Sequence, residues 1–207
     1  MPDYTVTELD ISYRQLTQLP DDIDKYINLK KLNLQVNYLT QLDNLPASLE
    51  ELNCSFNKIT QLDNLPLNLK ILDCSNNKIT QLDNLPIGLE ILNCSNNNIT
   101  QCDNLPPGLK ILYCTNNKIT QLDNLPLNIE ILGCSCNNIT QLDNLPIGLK
   151  ILYCYFNKIT QLNNLPPRLN YLQCYDNLLD YDFKPTLENI RNYIASNANI
   201  SNSEIKN

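Results

Sequence analysis

Histidine and tryptophan are absent from this chain, and glycine occupies only four of its 207 positions. Without histidine the chain lacks the commonest general base and the commonest metal-ligating side chain. So few glycines leave no Gly-rich loop to cradle a phosphate, and no Ser/His/Asp set can be assembled. An enzyme is therefore not expected, and neither is a cofactor or a metal. Cations are in deficit as well: 15 Lys and Arg face 22 Asp and Glu, a formal net charge of −7. That balance disfavours nucleic acid or an anionic membrane as partner, since both reward clustered positive charge. No apolar run approaches the ~18 residues that would suggest a membrane span. The opening "MPDYTVTELDISYRQ" has neither a basic start nor an apolar core, so no secretory leader is expected. A protein of a reducing, cytoplasmic compartment is.

What the chain has in excess is one phrase. "ITQLDNLP" begins at Ile59, Ile79, Ile119 and Ile139, and single-residue variants begin at Leu39, Ile99 and Ile159. Seven cysteines, from Cys54 to Cys174, recur every twenty residues without a slip. The full unit reads LxxLxCxxNxIxxLxxLPxx. In the copy from Leu49, Leu52 and Cys54 are two apart and share one face of a short strand. Ile59, Leu62 and Leu65 are three apart, which suits a chain winding round a core in extended or 3₁₀-like turns. Pro66 lacks an N–H, so that segment is not an inner strand. One unit cannot bury its own apolar edge, whereas stacked copies share a continuous core with one parallel strand per turn.

In this template the chain resembles the leucine-rich repeat family, and the twenty-residue unit with its "LP" is similar to the short bacterial subclass of YopM and the IpaH-type effectors. The near-identical Asn-, Ile-, Lys- and Tyr-rich copies are also similar to leucine-rich repeat proteins of giant amoeba viruses. The resemblance implies a β-rich solenoid of the α/β class, a curved right-handed coil. A parallel sheet would line its concave face, with extended or 3₁₀ segments on the convex face. It also implies a host or viral protein as partner and action inside a host cell. The catalytic-cysteine domain of IpaH-type proteins is not implied, because no cysteine follows Tyr181.

Nine repeats are read as one domain over residues 1–195, starting at residues 6, 29, 49, 69, 89, 109, 129, 149 and 169. The first carries Leu9, Ile11, Leu16 and Leu19 but has Arg14 where later copies have Asn. After Leu179 the phrase gives way to "DYDFKP" and then "TLENIRNYIA". There Thr186 is a candidate N-cap, and Leu187, Ile190, Tyr193 and Ile194 share one helical face. A short helix closing the core is expected within 180–195, with a frayed tail over 196–207.

The repeated residues read mainly as scaffold. Asn57, Asn77, Asn97, Asn117, Asn137 and Asn157 form a ladder at the turn after each strand, where an amide can satisfy backbone groups of its own and the next turn. The column Cys54, Cys74, Cys94, Cys114, Cys134 and Cys154 invites a redox or metal reading. Parallel side chains on neighbouring strands fit disulfide geometry poorly, and no CxxC occurs, so buried reduced thiols are expected. Asp43, Asp63, Asp83, Asp103, Asp123 and Asp143 stack on the convex side. They present oxygens suited to Ca²⁺, but the preferred reading is local capping of the turn. Lys30, Glu50, Lys70, Glu90, Lys110, Glu130 and Lys150 alternate in sign, so each charge would lie between two opposites on adjacent turns.

Function is expected in what varies. On the strand face the column Asp73, Asn93, Tyr113, Gly133, Tyr153, Gln173 runs beside a row of isoleucines from Ile71 to Ile151. Tyr113, Tyr153, Tyr155, Phe156, Tyr171 and Tyr175 gather toward the C-terminal half of this one face. Exposed aromatic patches mark interaction surfaces, and Tyr is a frequent hot-spot residue. The competing reading is that these rings shield the isoleucines or the cap. The sequence thus points to a monomeric, non-enzymatic scaffold binding a protein on its concave face. The alternative is a self-associating structural repeat protein, such as a particle component. The outer positions Leu67, Ile87, Pro107, Leu127, Ile147 and Pro167 repeat as a three-unit pattern that suggests duplication of a sixty-residue block.

Overall fold

The computed structural model describes residues 2–204, with side chains described as far as Asn197. Nine three-residue strands follow one another: β1 (Glu8–Asp10), β2 (Lys31–Asn33), β3 (Glu51–Asn53), β4 (Ile71–Asp73), β5 (Ile91–Asn93), β6 (Ile111–Tyr113), β7 (Ile131–Gly133), β8 (Ile151–Tyr153) and β9 (Tyr171–Gln173). They form one parallel sheet in strict sequence order. Each residue pairs with the one a full repeat later, as in Leu72↔Leu92 and Leu92↔Leu112. The central residue of each strand points inward and the two flanking residues point to the sheet face. Leu72, Leu92, Leu112, Leu132 and Leu152 are accordingly fully buried, while the isoleucine row from Ile71 to Ile151 is half-buried.

Two left-handed residues bend the chain in most turns of the solenoid. The first follows the strand, at Val36, Phe56, Asn76, Asn96, Asn116, Cys136, Phe156 and Asp176, with φ between 52° and 57°. The second is the Asn of "DNLP" at Asn44, Asn64, Asn84, Asn104, Asn124 and Asn144. Asn tolerates that region better than other non-glycine residues, which gives the invariant phrase its physical reason. The outer path then closes with a single 3₁₀-type turn, Leu69 N–H donating to Pro66 O at 3.1 Å and likewise at each "LPxxL". A longer 3₁₀ segment occurs at Ile23–Lys25, in the extended first repeat.

The asparagine ladder ties each turn to the one before it, not the one after. Asn57 Nδ2 donates to Leu34 O of the preceding turn and to Cys54 O and Ser55 O of its own. Its Oδ1 accepts the Leu39 N–H. The same set recurs at Asn77, Asn97, Asn117, Asn137 and Asn157. In the first repeat, where Arg14 stands in the ladder position, Asn37 Oδ1 takes both Arg14 N–H and Leu16 N–H.

The nine cysteines are free thiols; eight are buried and Cys136 is half-buried. Burial pushes the thiols of Cys74, Cys94 and Cys154 well above their ordinary pKa, and the less enclosed Cys174 is raised to about 11. The thiols of Cys74, Cys94 and Cys134 donate weakly to the carbonyl of the following strand. Cys102, which replaces the Leu of the phrase, also sits in the core.

Both ends are covered. At the start, Ile23 is buried and Tyr26 meets Tyr4 edge-on. At the other end α1 (Leu187–Glu204) begins at Thr186, whose hydroxyl accepts the Asn189 N–H. Ile190 is fully buried, and Arg191 donates to the carbonyls of Pro166, Pro167 and Leu169. Tyr181, Phe183 and Tyr193 pack as a ring cluster over this end. The helix continues past Ser196, where the sequence reading placed the start of a frayed tail, and residues 205–207 of that segment lie outside the described residues.

Candidate functional site

The sheet face has two unlike ends. Over β8 and β9 the aromatic residues are in contact. Tyr155 and Tyr175 stack at 4.7 Å with an interplanar angle of 6°, and Phe156 meets both edge-on at 5.8 Å. Tyr153 packs on Tyr171 at 5.5 Å. Phe156, Tyr171 and Tyr175 remain 43–52% exposed even so. The Tyr175 phenol is raised above its usual pKa, first by partial burial and then by Tyr155 and Asp176. Phe156 owes its outward position to its left-handed backbone, a conformation that carries a steric cost for a bulky residue.

Tyr113 makes no ring contact with this group among the described residues. Its ring lies over Gly133 on the next strand, where a Cβ would come within 2.7 Å of Tyr113 Cδ1. Gly133 has a negative φ, so it serves here by leaving room and not by conformational freedom. By sequence Gly133 is one member of the variable column on the sheet face, with no part of its own. Its signal was a lone glycine beneath a tyrosine one repeat earlier.

Gly133 has a second consequence. After β1 and β3, the hydroxyls of Ser12 and Ser55 donate to the side chains of Asp10 and Asn53, two residues back. At β7 that acceptor is missing, and the buried Ser135 hydroxyl has no partner.

The other end of the face carries a groove of about 560 Å³ over β1 to β4, which the sequence reading did not anticipate. Charged residues stand among Leu9, Leu32, Leu52 and Ile71 along it: Lys31 lies 3.8 Å from Glu8 and 3.3 Å from Glu51, with Asp10 and Asp73 beyond. Asp10 is held below its usual pKa by donors from Ser12. These carboxylates are already engaged: Glu8 and Glu51 with Lys31, Asp10 with Ser12 and Asn33, and Asp73 with the Ser75 N–H and Asn93.

The alternating charges along the sheet edge pair unevenly. Glu50 lies between Lys30 (2.8 Å) and Lys70 (2.6 Å), and the two lysines hold its carboxyl down at about 2. Beyond it the row divides into Glu90–Lys110 (2.6 Å) and Glu130–Lys150 (2.7 Å). Among the described residues Lys70 forms no ion pair with Glu90, nor Lys110 with Glu130. The convex aspartates assemble no cluster able to hold a metal ion among the described residues. Likewise, no described helix is long and apolar enough to cross a membrane.

A parallel sheet of one strand per turn, an asparagine ladder and a leucine core define a leucine-rich repeat solenoid. Family profiles agree: "Leucine Rich repeats (2 copies)" matches residues 87–127 and "Leucine Rich Repeat" matches 68–89. Among solved structures, YopM from Yersinia enterocolitica is 30% identical with a TM-score of 0.81, covering 87% of this chain and 40% of that one. The leucine-rich repeat domain of a Shigella effector is 31% identical with a TM-score of 0.61, covering 66% and 61%. The functional domain of InlJ from Listeria monocytogenes, which includes a cysteine ladder, is 33% identical with a TM-score of 0.66, covering 83% and 44%. This chain is a leucine-rich repeat protein whose repeats are of the YopM type. It spans less than two thirds of each of these relatives. No curated protein matches its sequence.

Proposed function

We propose that the chain is a non-enzymatic scaffold that binds a protein partner on its concave sheet face, through Tyr153, Tyr155, Phe156, Tyr171 and Tyr175, with Tyr113 at the margin. The carrying observation is the contiguous cluster of partly exposed rings over β8 and β9. Rigid aromatic side chains contribute large contact area at little entropic cost, which is why they dominate interface energetics. The similarity to effector and internalin repeat domains supports an interaction role. The ladders of Asn and Cys act as scaffold beneath this surface. A cytoplasmic setting fits the free, buried thiols.

The test is affinity capture from cell lysate with the natural chain and a Tyr153→Ser, Tyr155→Ser, Tyr175→Ser variant, after circular dichroism shows that both fold. A partner retained by the natural chain and lost by the variant supports the reading. Equal retention, or none, overturns it. The alternative of a rod stacking end to end has less support, because Ile190 and the ring cluster close the C-terminal end of the core.

A further inference from the structure

A second surface lies on the flank between the "DNLP" corner and the strand edge. The residue after each "LP" points straight out: Leu67 is 82% exposed, Ile87 76%, Leu127 78% and Ile147 70%. Ala47, Pro107 and Pro167 are exposed in the same column, so seven successive turns each present an apolar residue. Isolated exposed aliphatics are ordinary, but an unbroken line of them is not.

The neighbouring column is kept low. Three of the four glycines in the chain, Gly88, Gly108 and Gly148, stand there. A Cβ at any of them would meet only backbone oxygens at 3.7–4.0 Å. None has a positive φ. The fold therefore does not require glycine at these places. At three of the other positions the side chain folds down onto the backbone: Ser48 donates to Leu29 O, Asn68 to Ala47 O and Asn128 to Pro107 O; the last position, beside Pro167, carries the exposed Arg168. The result is an aliphatic ridge beside a shallow trough.

On the other side of the ridge runs the column Asp43, Asp63, Asp83, Asp103, Asp123 and Asp143, all exposed. None of the six forms an ion pair among the described residues. Six unpaired carboxylates compare with a net charge of −7 for the whole chain. Most of the excess charge is thus carried by one column, four residues before the ridge in each turn.

We propose that this flank docks an amphipathic helix of a partner protein that carries Lys or Arg along one side of an aliphatic seam. The spacing suits a helix. Successive turns of the solenoid are about 4.8 Å apart, and a helix presents one seam position per turn of about 5.4 Å. The column from Ala47 to Pro167 spans six intervals, about 29 Å, or roughly 19 helical residues. The aspartates repel a second copy of this chain and an anionic bilayer alike. The surface is separate from the aromatic sheet face and stands independently of the function proposed for that face.

The probe is a fluorescent nineteen-residue amphipathic peptide with a Leu seam flanked by Lys, titrated by anisotropy against the full chain, with a Leu/Glu counterpart as control. Binding of the Lys peptide is expected to weaken at least tenfold in a Leu67→Ser, Ile87→Ser, Leu127→Ser, Ile147→Ser variant. A similar loss is expected in Asp83→Asn, Asp103→Asn, Asp123→Asn, and no change in Tyr153→Ser, Tyr155→Ser. All these positions are exposed or lie on the sheet face, and circular dichroism checks their folding. Failure of the Lys peptide to bind, equal binding of the Glu peptide, or undiminished binding to the ridge variant overturns the proposal. So does sedimentation that shows the ridge mediating a dimer, or ridge-dependent binding to phosphatidylcholine vesicles in place of the peptide.

Discussion

Asn117→Ala isolates what the asparagine ladder contributes. Asn117 Oδ1 is the acceptor for the buried Ile99 N–H at 2.9 Å. Its Nδ2 donates to Cys94 O (3.1 Å), Cys114 O (3.0 Å) and Thr115 O (3.3 Å). The losses are unequal, because each ladder carbonyl is shared. Cys94 O also receives Asn97, and Cys114 O also receives Asn137. Thr115 O keeps the Asn96 N–H. The three carbonyls are thus weakened, whereas the Ile99 N–H is left with no acceptor. An orphaned buried donor costs about 1–3 kcal/mol, and each weakened carbonyl about 0.5 kcal/mol, for a total of about 3 kcal/mol. With a urea m-value of about 2–3 kcal/mol/M, the unfolding midpoint should fall by about 1 M at unchanged m. Asn177→Ala is the internal control. Its side chain is half-buried at the last turn, so water can replace part of what is lost, and a shift of about half that size is expected. Equal small shifts in both variants, below about 0.3 M, would refute the ladder as a stabilising device.

Three further outcomes follow from the geometry. Glu50 titrates near 2 in the fold against 4.5 ordinarily, so its ion pairs stabilise above pH 4.5 and that contribution disappears as the pH falls toward 2. The melting temperature of Glu50→Gln should therefore lie below that of the natural chain at pH 6 and converge with it near pH 2; a constant gap would contradict the pairing. Gly133→Ala forces the Tyr113 ring aside and should cost about 1–3 kcal/mol in urea unfolding. Tyr113→Ala in the same chain should recover most of that loss, and simple additivity of the two changes would show that the contact is not real. Native-state alkylation should label Cys136 quickly and the eight buried cysteines only after denaturation; more than one fast thiol by mass spectrometry would place part of the ladder at the surface.

Nearly all of the architecture was legible because the repeat writes the same instruction many times. A Leu in the middle of each strand, a Cys two residues on and an Asn at the turn determine which side chains face inward, independently of anything distant in the chain. The Thr186 cap and the inward Ile190 were readable for the same reason, since helix signals are local. The direction of the ladder was not. An amide can serve the turn before it or the turn after it, and only the stacked backbone decides that Asn57 reaches back to Leu34 and Leu39.

The aromatic column shows the same division. Sequence spacing determined that Tyr153, Tyr155, Phe156, Tyr171 and Tyr175 share a face. Whether rings on a face touch depends on rotamers and on their neighbours across the rungs. The absence of a side chain at Gly133 draws Tyr113 down over the sheet and away from the cluster. The ridge from Ala47 to Pro167 is the clearest case. Its apolar identities were visible as a three-unit pattern, but spacing alone does not decide whether a residue beside a buried Pro points in or out. The turn closed by Leu69 N–H on Pro66 O turns Leu67 to solvent, and repetition of that turn aligns the column. The sequence by itself determined the periodicity, the core and the C-terminal helix, because these are set by local spacing. The tertiary structure alone decided which exposed residues meet, because contacts between side chains a repeat apart depend on how one turn lies upon the next.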